Sequence, residues 1–140
     1  MTDRTTTSAH QRTRSDHATE LAEDYTEAVA DIIDAKGNCR VTDLAERFGV
    51  SHVTVVKAVR RLVAEGLATT EPYKPVELTT KGKRLAARCR QRHDTVYRFL
   101  IAIGVDPKTA AADAEGIEHH VSPRTLSKLR HLADNPPPTP

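Results

Sequence analysis

The segment VTDLAERFGVSHVTVVKAVRRLVAEGLA, residues 41–68, leaves the chain little choice of local fold. Leu44, Ala45 and Phe48 recur at helical spacing and form one apolar edge, and Val55, Val59 and Leu62 form a second. Ala45 is small where two helices must cross closely. Gly49 falls where a tight turn wants a residue tolerant of positive φ, and Ser51 is placed to cap the next helix. Two amphipathic helices joined this tightly make a helix-turn-helix. The outer side of the second helix, from Ser51 onward, carries His52, Val53, Thr54, Lys57, Arg60 and Arg61. Short side chains there suit base edges and cations suit phosphates, so duplex DNA is the expected partner. After Gly66, LATTEPYKPVELT reads as strand, turn and strand, with Pro72 to Pro75 as the turn. That ribbon is the wing of a winged helix, and Lys74 at its tip is placed to touch the DNA backbone. An ordinary helical hairpin with a solvated cationic face is the competing reading of the same residues.

The remaining periodicity predicts a mainly α chain. Helices are expected near 19–36, 41–48, 52–65, 80–103, 107–119 and 123–133, with Gly37, Gly49, Gly66 and Gly104 at the breaks. Residues 19–82 form the winged helix-turn-helix domain and 83–134 a helical C-terminal domain. The Thr/Ser/Arg-rich stretch 1–18 reads as a disordered arm and NPPPTP, 135–140, as a loose tail. Aromatic content is 4% with no Trp, so the interior must come from Val, Leu, Ile and Ala. No run approaches the roughly 18 apolar residues of a membrane span, and the polar N-terminus lacks a signal-like apolar core. A cytoplasmic protein is therefore expected, with no membrane partner and with Cys39 and Cys89 as reduced thiols.

Charge is partitioned along the chain. Residues 19–36 hold six acids against one lysine, 40–92 hold twelve Lys/Arg against five acids, and 93–120 hold five acids against two bases. A basic centre between acidic segments suggests a polyanion-binding face and a separate cation-binding region. In the first helix, Leu21, Tyr25, Ala28, Val29, Ile32 and Ile33 cover one apolar face, beside an acidic stripe of Asp24, Glu27, Asp31 and Asp34. Asp31 and Asp34 read as solvated, whereas Asp24 and Glu27, at i and i+3, are spaced to chelate one ion. In DAEGIEHHVS, 113–122, Glu115, Glu118 and His119 fall at i, i+3 and i+4, so a helix projects all three from one side; His120 points about 100° away. His93 lies on the long helix among core positions Val96, Phe99 and Leu100. Four carboxylates and two imidazoles, with no thiolate, favour a hard dication: Mn²⁺ first, Fe²⁺ next. Four negative charges can balance two dications, so a binuclear site is plausible on charge, and Zn²⁺ or Co²⁺ can substitute in vitro.

These pieces together resemble the iron- and manganese-dependent repressors of the diphtheria toxin repressor family. The matching stretches are EDYTE (23–27), VTDLAERFGVS (41–51), LTTKGKRLA (78–86), RH (92–93) and IGVDPKTAAADAEGIEHHVS (103–122). The resemblance implies a homodimer, with the 83–134 domain serving metal binding and dimerisation. It also implies a binuclear manganese site of Asp24, Glu27, His93, Glu115, Glu118 and His119, in which Glu27 and Glu118 bridge. The iron-responsive branch carries Met and Cys where this chain has Asp24 and Glu115, which points to manganese. It further implies repression of manganese uptake genes from a palindromic operator. The 140 residues leave no room for the SH3-like domain of larger members. Three other readings stay open: an iron sensor with an oxygen-rich site, a winged-helix regulator of an organic ligand, and a metal-dependent hydrolase. The last lacks HExxH and any nucleophile motif, so no catalytic residue is assigned.

Overall fold

The computed structural model describes residues 2–138; Met1 and residues 139–140, the outer ends of the expected arm and tail, lie outside the described residues. The chain divides into two compact units, Met1–Ala87 and Arg88–Pro140. The first holds α1 (Thr2–Lys36), α2 (Val41–Phe48), α3 (His52–Ala64), β1 (Ala68–Thr69), β2 (Glu77–Leu78) and the opening turns of α4 (Thr80–Ala102). The second holds the rest of α4, then α5 (Pro107–Ile117), a 3₁₀ turn (Glu118–His120) and α6 (Pro123–Asp134).

In the first unit, α1, α2 and α3 bury one apolar core. Val29, Leu44, Val55 and Leu62 are fully enclosed, with Ala28, Val59, Leu67 and Val76 around them. Tyr25 and Phe48 meet with ring centroids 4.4 Å apart, joining α1 to α2. The helix-turn-helix forms as its pattern predicts. Gly49 takes φ 63° and ψ 38° at the end of α2, where its amide satisfies the Ala45 carbonyl, and a Cβ would strain that left-handed turn. Ser51 Oγ then accepts from the Thr54 amide at 3.2 Å and caps α3. At the start of α2, the Lys36 ammonium and the Arg40 amide both bind the Asp43 carboxylate, holding it below the usual carboxylate range.

The wing pairs Ala68 with Leu78 and Thr69 with Glu77 in antiparallel register. Its base is tied to the rest by the Val76 amide, which donates to the buried Cys39 carbonyl at 2.8 Å. Burial pushes the Cys39 thiol up to about 11, so this cysteine is a packing group.

Three details differ from the sequence reading. Over 2–18, where an arm without regular structure is expected, the backbone is helical. No proline or glycine interrupts residues 1–36, so a helix nucleated by the packed 22–33 segment can propagate backward. Leu21, placed on the apolar face by its spacing, is 41% exposed, and Ala22 is buried in its stead. The buried face is centred on Ala22, Tyr25, Val29 and Ile32, which leaves Leu21 at its margin. Finally, α5 stops at Ile117 and Glu118–His120 tighten into the 3₁₀ turn. Ser122 precedes Pro123 and must be extended, so the last helical turn cannot simply continue.

The second unit packs Val96 and Leu100 of α4 against Ala110 and Ala114 of α5, with Leu126 and Leu129 of α6 alongside. The two alanines, one turn apart and without exposed surface, let α5 approach α4 closely. Asp106 and Ser122 cap α5 and α6, each followed by proline at the first helical position.

In the first unit, Gly82 opens α4 directly under the ribbon, and a Cβ built there would stand 2.0 Å from the Leu67 carbonyl oxygen. That oxygen also accepts from the Thr79 amide, so it cannot retreat freely. Gly82→Ala is expected to destabilise the fold by about 1–3 kcal/mol, the usual cost of forcing atoms into a packed site. Urea unfolding measures this, and an unchanged midpoint would contradict it.

Candidate metal centre and nucleic-acid face

Each unit carries one of the two sets of residues predicted to be functional, apart from Asp24 and Glu27. On the first unit, Ser51, His52, Val53, Thr54, Lys57, Arg60 and Arg61 are all exposed, while Val55, Val59 and Leu62 of the same helix are buried. One stripe anchors α3 and the other faces solvent, as its periodicity predicts. Two of the exposed groups already have local work: Ser51 caps the helix, and Arg61 pairs with Glu65 at 3.3 Å. Val53 is 65% exposed, an apolar side chain held in water at the first turn of the helix. Lys74 sits at the wing tip and pairs with Glu71 at 2.8 Å, both largely exposed.

On the second unit, three of the predicted ligands converge. One ligand atom each from His93, Glu115 and Glu118 lies within 4.8 Å of the others. His93 Nδ1 stands 3.1 Å from Glu118 Oε2 and 3.4 Å from Glu115 Oε1. His119 joins through Nε2, 3.3 Å from Glu118 Oε1. The Glu118 side chain has no exposed surface, that of His119 has 1%, and Glu115 is 60% exposed. His93 Nδ1 is buried and makes no aligned hydrogen bond, although two carboxylates are near it. An imidazole nitrogen and carboxylate oxygens gathered this closely offer donor atoms to one point, as the ligands of a single ion do. The donor set, nitrogen and oxygen without sulfur, fits a hard dication. His120 is exposed.

The α1 carboxylates belong to the first unit. Asp24 and Glu27 are both partly buried, and a carboxylate oxygen of Glu20, one turn before Asp24, lies within 4.8 Å of one of Asp24's. Glu23 is 6% exposed. Neither Glu20 nor Glu23 was singled out by the sequence; the i, i+4 spacing of Glu20 and Asp24 is the signal that could have found Glu20.

Comparisons with known proteins align with this division. The family model described as "Iron dependent repressor, N-terminal DNA binding domain" matches residues 17–76. That described as "Iron dependent repressor, metal binding and dimerisation domain" matches residues 79–140. The transcriptional regulator MntR of Escherichia coli O6:H1 is 44% identical over 120 residues, covering 86% of this chain and 77% of the relative. The HTH-type transcriptional regulator MntR of Bacillus subtilis strain 168 is 38% identical over 110 residues, covering 79% and 78%. A solved manganese-dependent transcriptional repressor in complex with manganese superposes with a TM-score of 0.73 at 29% identity. It covers 82% of this chain, which in turn spans 53%, about half, of that structure's chain.

The position of Glu115 and Glu118 depends on α5, and α5 begins at the Asp106 cap. The Thr109 amide and hydroxyl bind the Asp106 carboxylate and lower its pKa. A carboxylate depressed in the folded state contributes stability above its unfolded pKa of ~3.9 and loses it as pH falls through the folded value. Asp106→Ala should therefore lower Tm at pH 7, and the gap from the parent should close below about pH 4. A gap of constant size from pH 7 to pH 3 would show that the carboxylate's charge contributes nothing to the cap.

Proposed function

The chain belongs to the iron-dependent repressor family, and within it we propose a manganese-responsive transcriptional regulator that binds palindromic operator DNA as a homodimer. The observation that carries this reading is the cluster of His93, Glu115, Glu118 and His119, a nitrogen–oxygen donor set around a fully buried carboxylate. Asp24 and Glu27 complete the proposed ligand set from α1. Carboxylates at Asp24 and Glu115, with no thioether or thiolate, favour Mn²⁺ over softer ions, with Fe²⁺ next and Co²⁺ or Zn²⁺ able to substitute in vitro. The names and manganese dependence of the relatives support the same assignment. Four carboxylates could balance two dications, and in such a binuclear site Glu27 and Glu118 would be the residues shared between the ions.

Bound manganese supplies positive charge to the carboxylates and directional bonds to their oxygens and to the two imidazoles. The chain's residues do the rest. Asp24 and Glu27 are carried on α1, which also packs against α2 and α3 through Tyr25, Val29 and Ile32. Anything that holds those two carboxylates therefore holds the helix-turn-helix. Without a cation, the six-residue set carries four like charges, which favours separation. In the operator complex, Lys57 and Arg60 engage phosphates and bases, and Val53 offers an apolar contact of the kind that reads a thymine methyl. Ile101, Ile103, Ile117 and Leu132, large apolar side chains exposed on the second unit, support a surface that a second copy covers. The expected outcome is repression of manganese uptake genes when the metal is plentiful. No helix of the described residues is long and apolar enough to cross a membrane; we place the regulator in the cytoplasm with its DNA, and assign it no enzymatic activity.

One paired experiment separates the two halves of this reading. Glu118→Gln keeps the side chain's volume but removes a charged ligand. It should weaken Mn²⁺ binding by more than ~10-fold, the least that losing even a ligand's supporting partner costs, while circular dichroism stays unchanged. Lys57→Ala should leave Mn²⁺ affinity of the free protein intact, weaken operator binding and make its salt dependence shallower by about one phosphate contact. A Glu118→Gln protein that still titrates with Mn²⁺ at the parent's affinity would remove Glu118 from the site.

A further inference from the structure

At the wing tip, one residue is exposed and strained to a degree that nothing within the chain explains. The turn is Glu71, Pro72, Tyr73, Lys74, closed by the Lys74 amide donating to the Glu71 carbonyl at 3.1 Å. Proline suits the first central position, and the second, at positive φ, ordinarily falls to glycine or asparagine. Here it is Tyr73, at φ 65°, the one non-glycine residue with positive φ among the described residues. Its side chain is 100% exposed. A bulky aromatic thus occupies a backbone conformation it disfavours, and gains no burial within the chain in return. Residues held in that way cluster where a protein contacts something else.

The ring is also mounted stiffly. Pro72 and Pro75 fix the backbone on either side, the Lys74–Glu71 ion pair closes the tip, and the ribbon base is pinned through Val76 to Cys39. A rigid amphipathic ring beside a lysine, on the same unit as the exposed face of α3, matches the chemistry of a nucleic-acid groove. Its apolar faces suit the sugar walls, its hydroxyl suits the adenine N3 and thymine O2 acceptors, and the adjacent ammonium suits a phosphate.

We infer that Tyr73 enters the minor groove of the operator beside the major-groove stretch contacted by α3, and there discriminates A·T from G·C. The guanine 2-amino group projects into that groove and obstructs the ring, whereas A·T pairs leave it open. The inference rests on the DNA-binding function proposed above and assigns a second reading element to it.

The test uses the full chain with Mn²⁺ and a duplex that the unmodified protein selects from a random pool. Tyr73→Gly relieves the strained φ, so its Tm should equal or exceed the parent's. Its affinity for the selected duplex should nonetheless fall by ~10-fold, equivalent to about 1.4 kcal/mol. Replacing flanking A·T pairs by I·C, which keeps the A·T minor-groove face, should leave the parent's affinity nearly intact, whereas G·C should weaken it, and Tyr73→Gly should lose that distinction. Parent-like affinity in Tyr73→Gly, or a lowered Tm, overturns the inference. A pool from which the unmodified protein selects nothing in Mn²⁺ overturns instead the function on which it rests.

Discussion

Glu118 is a carboxylate without exposed surface, set between the imidazole nitrogens of His93 and His119, and the second unit is organised around keeping it there. A buried anion costs several kcal/mol unless its surroundings compensate. Here the chain's own compensation comes from two imidazoles, His93 on α4 and His119 on the 3₁₀ turn after α5, while Glu115 brings a second carboxylate to His93. The apolar contacts of Val96 and Leu100 with Ala110 and Ala114 hold those elements close, within about two turns of the polar cluster. Core packing and ligand placement are thus consecutive turns of the same helices. Two acidic side chains beside Nδ1 of His93 add like charge to a site that is only partly open to solvent, and a cation would relieve that repulsion.

The first unit solves a different problem. It must present cations and short side chains on α3 while hiding the opposite stripe, and it does so with a three-helix core sealed by the Tyr25–Phe48 contact. In the proposed reading α1 serves both that core and the ligand set, so a single helix would link metal occupancy to the reading face. Surface ion pairs such as Asp31 with Arg47 trim the α1–α2 contact, each contributing well under about 1 kcal/mol. The coupling does not depend on them. A few kcal/mol of differential binding is enough for metal to govern DNA affinity.

Much of this was legible in the sequence, for identifiable reasons. The helix-turn-helix followed from the spacing of Leu44, Val55, Val59 and Leu62, because burial on a helix is strictly periodic; the Gly49 turn and Ser51 cap followed from local chemistry. The convergence of His93 with Glu115 and Glu118 was readable only because the D-x-E-G-x-E-H-H pattern resembles a family motif, as spacing alone cannot bring α4 to α5. What escaped was positional rather than compositional. The exposure of Leu21 depends on the rotation of α1 against its neighbours. The 3₁₀ turn depends on how Ser122 and Pro123 constrain the chain that precedes them. The left-handed Tyr73 could not be anticipated, since its turn type is usually signalled by glycine or asparagine. The helical course of 2–18 was hidden by a composition that argues for disorder, while the absence of helix breakers argues for continuation.

In the proposed reading, metal and operator are bound by one coupled system. Calorimetric titration of Mn²⁺ into the free dimer and into the dimer already saturated with operator measures this directly. Coupling requires that the operator complex bind Mn²⁺ more tightly, by the same factor by which Mn²⁺ strengthens operator binding. Identical Mn²⁺ affinities with and without operator would mean that the metal site and the reading helices act independently.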